Sequence, residues 1–250
     1  MGLASAYALD RKQFGKPIGE FGLMRKKFAE MAGRFFAAES MIYRTGAFID
    51  SAFAQFAGTI EGNRKAAEEF AVECSACKVF STEAEAFIVD EALQCFGGYG
   101  FTEEFPIARH YRDARVSRIY EGTNEINRVF LADRLRRRAK EGKASLQAVG
   151  DSFISELAGK AIGIEATDQI HVGALSDLVM LAYAEQSARL RAKRLGGVHE
   201  QAYATFVNWA NAEAARNYQI ATGEAVHLPP ALPVDYDALS AVVLESKSPL

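Results

Sequence analysis

The sequence is poor in the residues that build disulfide frameworks and metal sites. Its cysteines, Cys74, Cys77 and Cys95, are three in number and cannot all pair within one chain, so a disulfide scaffold is excluded and a reducing compartment is expected. Cys74 and Cys77 form a CxxC pair, but they fall inside a helical pattern and no second ligand pair follows. The four histidines, His110, His171, His199 and His227, are scattered, and no metal site is expected. Positive charge is also short. With 29 Lys and Arg against 32 Asp and Glu, the formal charge is -3, which gives no general attraction to nucleic acid. No run approaches the roughly 18 consecutive apolar residues that span a bilayer. No cationic start followed by an apolar stretch and a small-residue cleavage site is present. These absences lead to the expectation of a soluble protein of the cytoplasm or, in a eukaryote, of an organelle matrix. The strict alternation of apolar and polar residues that marks a half-buried strand is missing too.

Helical periodicity is plentiful. Met24, Phe28, Met31, Phe35, Ala38, Ile42, Ile49, Phe53 and Phe56 recur at steps of three, four or seven, which predicts one long helix with an apolar stripe. A second helix is expected from about Asn63 to Cys95, with Phe70, Cys77 and Ala84 sharing a face with Cys74, Phe80, Phe87 and Ile88, and Gly97–Gly98 ending it. The segment 97–123 reads as a long ordered connection, a feature that is often functional. A third helix is predicted from Thr123 or Asn124, carrying Ile126, Val129, Phe130 and Leu135, and running out in a basic stretch, Arg134 to Lys140, that suits a helix C-terminus. Alanine-rich helices follow at about 145–164, 172–195 and 199–221, with apolar positions such as Leu146, Val149, Phe153 and Leu157. The proline-bearing segment past Gly223 is expected to be extended and draped over the surface. The fold class is therefore all-α, divided as a bundle over 1–142, a second helical domain over 143–225 and a tail over 226–250.

Three short stretches could carry chemistry. In RIYEGTNEIN, residues 118–127, Glu121 follows Ile119 and Tyr120, and desolvation there would raise its pKa toward the range of a general base. Gly122 removes a side chain where a ligand could approach. The alternative is that Glu121 only favours the positive end of the next helix. QCFGGYGF, residues 94–101, could offer backbone N–H groups to a polar ligand, although Glu103 stands where the dinucleotide fingerprint needs its third glycine. Here the alternative is simple helix termination. DRKQFGKP, residues 10–17, offers Arg11 to a phosphate and Phe14 for stacking, or is a solvated charge run.

Taken in order, RKQFGKPIGEF, QCFGGYGFTEEFPIARHYRDAR and RIYEGTNEI resemble three motifs of the acyl-CoA dehydrogenase family. The resemblance covers roughly residues 4–140. The helical extension beyond about 145 and the FGL at 21–23 resemble the very-long-chain branch, which carries an extra C-terminal helical domain. The resemblance implies an oxidoreductase that removes hydrogen from a fatty acyl-CoA thioester to give the trans-2-enoyl-CoA, a step of fatty acid β-oxidation. Glu121 would be the base that takes the α-proton while the β-hydride leaves to flavin, and Gly122 would border the acyl-CoA. Arg11, Gln13, Phe14, Gln94 and Gly98 would touch the FAD of a neighbouring subunit, and Thr123 and Glu125 the FAD of their own. Glutamine is common in the family where Glu125 stands here.

Sites shared in this way imply a homo-oligomer, a dimer or a pair of dimers, handing electrons to an electron-transfer flavoprotein or a similar acceptor. In the very-long-chain branch the extension covers dimer surfaces or helps peripheral membrane docking. Family members begin with a helical domain and a small β-domain that neither precedes nor overlaps this stretch, so the expectation is a truncated fragment, inactive alone. Two other readings fit the same residues: an acyl-CoA oxidase-like flavoprotein, and a non-catalytic helical oligomerisation module.

Overall fold

The computed structural model describes residues 1–55, 59–141, 151–164 and 168–246. Helix α1 (Gly2–Asp10) leads into a small antiparallel hairpin, β1 (Lys12–Gln13) and β2 (Lys16–Pro17), with Lys12 opposite Pro17 and Gln13 opposite Lys16. A 3-10 turn, Ile18–Glu20, precedes α2 (Gly22–Gln55). Then come α3 (Ile60–Glu69), α4 (Ala71–Phe96), the single turn α5 (Gly98–Phe101), α6 (Pro106–Ser117) and α7 (Asn124–Lys140). The C-terminal half holds α8 (Phe153–Ile162), α9 (Gln169–Leu195), α10 (Val198–Thr222) and α11 (Tyr236–Ser246). The all-α expectation holds, the two-residue strands being its one exception among the described residues.

The long helix α2 is the spine. Its apolar residues meet α4 on one side and α9, α10 and α11 on others, so the buried surface is broader than one stripe. Phe28, Met31, Phe36 and Met41 are fully enclosed, whereas Ile42 and Phe53, assigned to the stripe from periodicity, are exposed. Phe56 lies outside the described residues. Helices α9 and α10 are joined by Gly196 and Gly197, both at positive φ (69° and 58°), which reverses the chain in two residues. Tyr183 and Leu178 of α9 and Phe206 of α10 enter the same apolar cluster as Phe28 and Phe36 of α2 and Leu131 of α7.

The structure corrects the sequence reading in several places. The helix expected over 63–95 is two helices, broken at Phe70, whose ψ of 18° ends one and starts the other. The connection 97–123 contains α5 and α6; Pro106 sits at the first position of α6, where its missing N–H costs no hydrogen bond. On α7 the buried apolar residues are Leu131, Ala132 and Leu135, while Ile126 and Val129 face outward. Of the helix expected over 145–164, Phe153–Ile162 is described, and Leu146 and Val149 lie outside the described residues. The proline-bearing segment is not extended to its end. Its prolines at 229, 230 and 233 precede α11 rather than interrupt it, and the Asp235 carboxylate accepts the Ala238 N–H at 2.9 Å to cap it. Leu239 and Val243, four apart, are then fully buried, through contacts with α1 and α2.

Candidate functional site

Two places gather the residues singled out above. The first is an open groove of about 540 Å³ between the α1–hairpin corner and the end of α4. Helix α4 stops at Gly97, whose φ of 59° and ψ of -141° no ordinary side chain adopts comfortably. The chain therefore turns sharply, and Gly97 and Gly98 line the groove opposite Tyr7, Arg11 and Gln13. The Arg11 guanidinium lies 5.8 Å from the Tyr99 ring centroid, so a cation is held over an aromatic face at the groove's edge. Tyr7 stacks on Phe96 at 4.3 Å and stiffens the wall. Of the predicted cofactor residues, Arg11, Gln13, Gln94 and Gly98 meet here.

Phe14 does not line that groove. It stands at the tip of the hairpin with φ 50°, followed by Gly15 at φ 85°, the pair of positive φ values that a two-residue hairpin turn requires. Asparagine or glycine is the ordinary residue at the first of these positions. A phenylalanine there, 93% exposed, is strained and hydrated at once, and strain of this kind is retained where function holds it.

The second place is the loop between α6 and α7. Glu121 has φ 56° and Gly122 φ 81°, so a glutamate occupies the left-handed region, which is uncommon for a residue other than glycine, asparagine or aspartate. The loop is fastened from below. Lys78 of α4 donates to the Gly122 carbonyl at 2.9 Å and to Asn124 Oδ1 at 2.7 Å. Asn127 Nδ2 donates to the carbonyls of Gly122 and Thr123 at 2.9 and 3.1 Å, and Ser75 fixes the other end of its amide at 3.1 Å. The fully buried Asn124 amide donates to Thr82 at 3.0 Å and to Glu83 at 3.2 Å. Thr123 caps α7, its hydroxyl accepting the Ile126 N–H. Glu125 lies in the first turn, where its own backbone N–H, and then the Thr123 hydroxyl, hold its carboxyl below the usual value.

Sequence reasoning expected a dry environment for Glu121. In this chain its side chain is exposed, and Ile119 and Tyr120 are each half exposed, as is Ile126 at 61%. The reason is geometric. The bonds from Lys78 and Asn127 draw the Gly122 and Thr123 carbonyls inward, and Ile119 and Tyr120 are left exposed beside Glu121 in the chain, an uncovered apolar rim next to a carboxylate. The fastening residues Lys78, Asn124, Asn127 and Ser75 were not identified from the sequence. Two asparagines in the first turns of a helix, where they are weak helix formers, were the available signal.

The chain belongs to the acyl-CoA dehydrogenase family. Residues 1–136 match the family model for the acyl-CoA dehydrogenase C-terminal domain. A probable acyl-CoA dehydrogenase of Bacillus subtilis (strain 168) is 42% identical over 159 residues, 62% of this chain and 27% of that protein. The mitochondrial very long-chain specific acyl-CoA dehydrogenase of Rattus norvegicus is 37% identical over 126 residues, 50% of this chain and 17% of that protein. The crystal structure of an acyl-CoA dehydrogenase from Bacillus anthracis, complexed with FAD, superposes with a TM-score of 0.83 at 28% identity, covering 98% of this chain and 52% of that one. The chain thus spans about half of the crystallised relative and a smaller share of the curated ones. Among the described residues, no helix is long and apolar enough to cross a membrane.

Proposed function

We propose that this chain carries the general base and part of the flavin site of an FAD-dependent acyl-CoA dehydrogenase, with Glu121 as the base. The observation that supports it most directly is the Glu121–Gly122 pair, held at φ 56° and 81° by Lys78 and Asn127. A carboxylate displayed on a strained, fastened turn beside exposed apolar residues is suited to accept a proton from carbon once that rim is covered and water is excluded. Gly122 leaves room for the thioester beside the base. The groove fits the polar part of FAD. Arg11 offers a cation to a pyrophosphate, Gln13 and Gln94 offer amides to ribose or adenine, and the Gly97–Gly98 turn lets a ligand reach the main chain. Phe14, exposed at the hairpin tip, offers a ring to stack on a copy's cofactor, and Thr123 and Glu125 border the cofactor on their own side. Bound flavin supplies a hydride acceptor for the substrate's β-carbon.

The rest of the reading follows from that site. Fatty acyl-CoA is the substrate, an electron-transfer flavoprotein or similar carrier takes the electrons, and the working form is a homo-oligomer in a reducing compartment. The rim and groove lie open, so we expect the remaining walls to come from further polypeptide and from a second copy. The division near residue 142 is part of the same proposal, since the family model ends at residue 136 while α8 to α10 lie beyond it.

The test is Glu121→Gln in a polypeptide of the relatives' length, assayed with acyl-CoA and a dye acceptor. Turnover is expected to fall by about 10²–10⁴-fold, the usual contribution of a general base, with the flavin spectrum retained. Turnover within twofold of wild type would remove Glu121 from the mechanism. The 250-residue chain alone is expected to bind FAD weakly and to lack turnover; a stoichiometrically yellow, active chain would overturn that part.

A further inference from the structure

We propose that Asp177, on helix α9 of the C-terminal half, is a positioning residue for the Glu121 loop and acts through Arg128, Glu83 and Asn124. This inference rests on the reading of Glu121 as the base, because it gives that loop a reason to be held.

The path is continuous. Asp177 Oδ1 accepts from Arg128 Nε at 2.7 Å. Arg128 Nη2 donates to the Glu83 carboxylate at 2.8 and 2.9 Å. Glu83 in turn accepts from Asn124 at 3.2 Å. Asn124 accepts from Lys78, and the same Lys78 ammonium holds the Gly122 carbonyl. A second link from α9 reinforces the first: the Ser176 hydroxyl donates to the Arg128 carbonyl at 2.7 Å. The two residues that join the halves are shielded, with the Arg128 side chain 18% and the Asp177 side chain 22% exposed. Arg216 and Glu213 of α10 and Arg34 of α2 line the same small cavity.

The chemistry explains why these links act together. Burial by itself works to lower the Arg128 pKa, but Asp177 and Glu83 outweigh it and hold the guanidinium charged. Arg128 therefore has two carboxylates to satisfy and one geometry that satisfies both. Without the Asp177 charge, the guanidinium moves toward Glu83, and Glu83 can no longer present the same oxygen to Asn124. Asn124 is the residue that aligns Lys78 under a turn whose backbone does not relax there spontaneously. Helix α9 thus acts as a second anchor for a loop that its own neighbours secure from one side.

Hydrogen exchange on the 250-residue chain is the test. In Asp177→Asn, amides of residues 118–124 are expected to exchange roughly tenfold faster, a coupling of ordinary size, while α11 is unchanged and Asp177→Glu restores part of the protection. Unaltered exchange at 118–124 overturns the proposal. Should α11 also loosen, Lys78→Met is read instead. It leaves α9 intact and, because coupling is reciprocal, must raise exchange around Asp177; unaltered exchange there overturns the proposal. In a polypeptide of the relatives' length, Asp177→Asn is expected to lower kcat about tenfold with KM for acyl-CoA within about twofold, the pattern of a misplaced base. The two readings fail separately. Intact turnover in Glu121→Gln removes the base, while an unmoved loop in Asp177→Asn removes only the anchor.

Discussion

Two glycines on helix α2 should respond in opposite ways to the same substitution. Gly33 sits where α2 crosses α10, and a methyl group there would stand 3.0 Å from the Ala202 carbonyl oxygen, 3.1 Å from the Phe206 nitrogen and 3.3 Å from Thr205 Cβ. Two of these neighbours are main-chain atoms of a helix, which cannot move aside without shifting the helix. Gly46, further along α2, has nothing within 4 Å of the same added carbon. Replacing a helical glycine by alanine gains about 0.5–1 kcal/mol through backbone entropy. Forcing an extra methyl into a closed contact costs about 1–3 kcal/mol. For Gly46→Ala only the gain applies, so stabilisation of about 0.5–1 kcal/mol is expected. For Gly33→Ala the cost outweighs the gain, and the net is a destabilisation of up to about 2.5 kcal/mol. At about 2–4 °C per kcal/mol for a chain of this size, Gly46→Ala should raise Tm by about 1–4 °C and Gly33→Ala lower it by up to about 10 °C. Paired thermal melts by circular dichroism check both. If Gly33→Ala melts as high as Gly46→Ala, the α2–α10 crossing is not closed at that point, and the tight joint between the two halves of the chain is refuted.

Other expectations follow from groups the candidate site does not use. Burial pushes the thiols of Cys77 and Cys95 up to about 12, whereas Cys74 is exposed; iodoacetamide near pH 8 should modify Cys74 first, and mass spectrometry that finds Cys95 labelled in the folded chain would count against the packing around it. Thr45 Oγ1 lies 2.8 Å from the Tyr183 hydroxyl and 3.3 Å from Cys77 Sγ. Thr45→Val leaves a buried hydroxyl unpaired, so urea titration should show a loss of about 1–3 kcal/mol, larger than that of Tyr183→Phe. Asp168 caps α9 by accepting the N–H groups of Ile170 and His171 at 2.9 and 3.1 Å, and its carboxyl is held below the ordinary 3.8, first by the His171 backbone N–H. A depressed folded pKa means the stabilisation is present above the unfolded value and is lost as pH falls through the folded one. The Tm advantage of wild type over Asp168→Ala should therefore be full near pH 6 and shrink below 3.8; an advantage independent of pH would rule out the charge as its source.

The helices were legible because helical burial has a period. The 3.6-residue repeat through Met24–Phe53 marked α2, and Thr123 before Asn124 marked the start of α7, where the hydroxyl does cap the helix. The motif residues Arg11, Gln13, Gln94 and Gly98 were legible as candidates, and the structure places them around one groove. Boundaries were harder to read. Phe70 carries no sequence signature of a helix break, because a phenylalanine fits the apolar pattern on either side of it. Helix α11 was hidden by the prolines that precede it, since a local rule about proline says nothing of a Leu239–Val243 pair that gains its stability from distant α1 and α2.

By itself, then, the order of residues marked the long amphipathic helices, the stretches that have family motifs and the carboxylate that is a candidate base, because these depend on neighbours a few positions away; it did not reveal α5, α6 or α11. Only the tertiary structure decided that Glu121 is displayed on a left-handed turn rather than enclosed by this chain, that Lys78 and Asn127 fasten that turn, and that Asp177, some fifty positions along the chain, is joined to it through Arg128. Those outcomes depend on which helices lie side by side. Adjacency of that kind is set by the shared burial of apolar faces across the whole chain, and no local pattern encodes it.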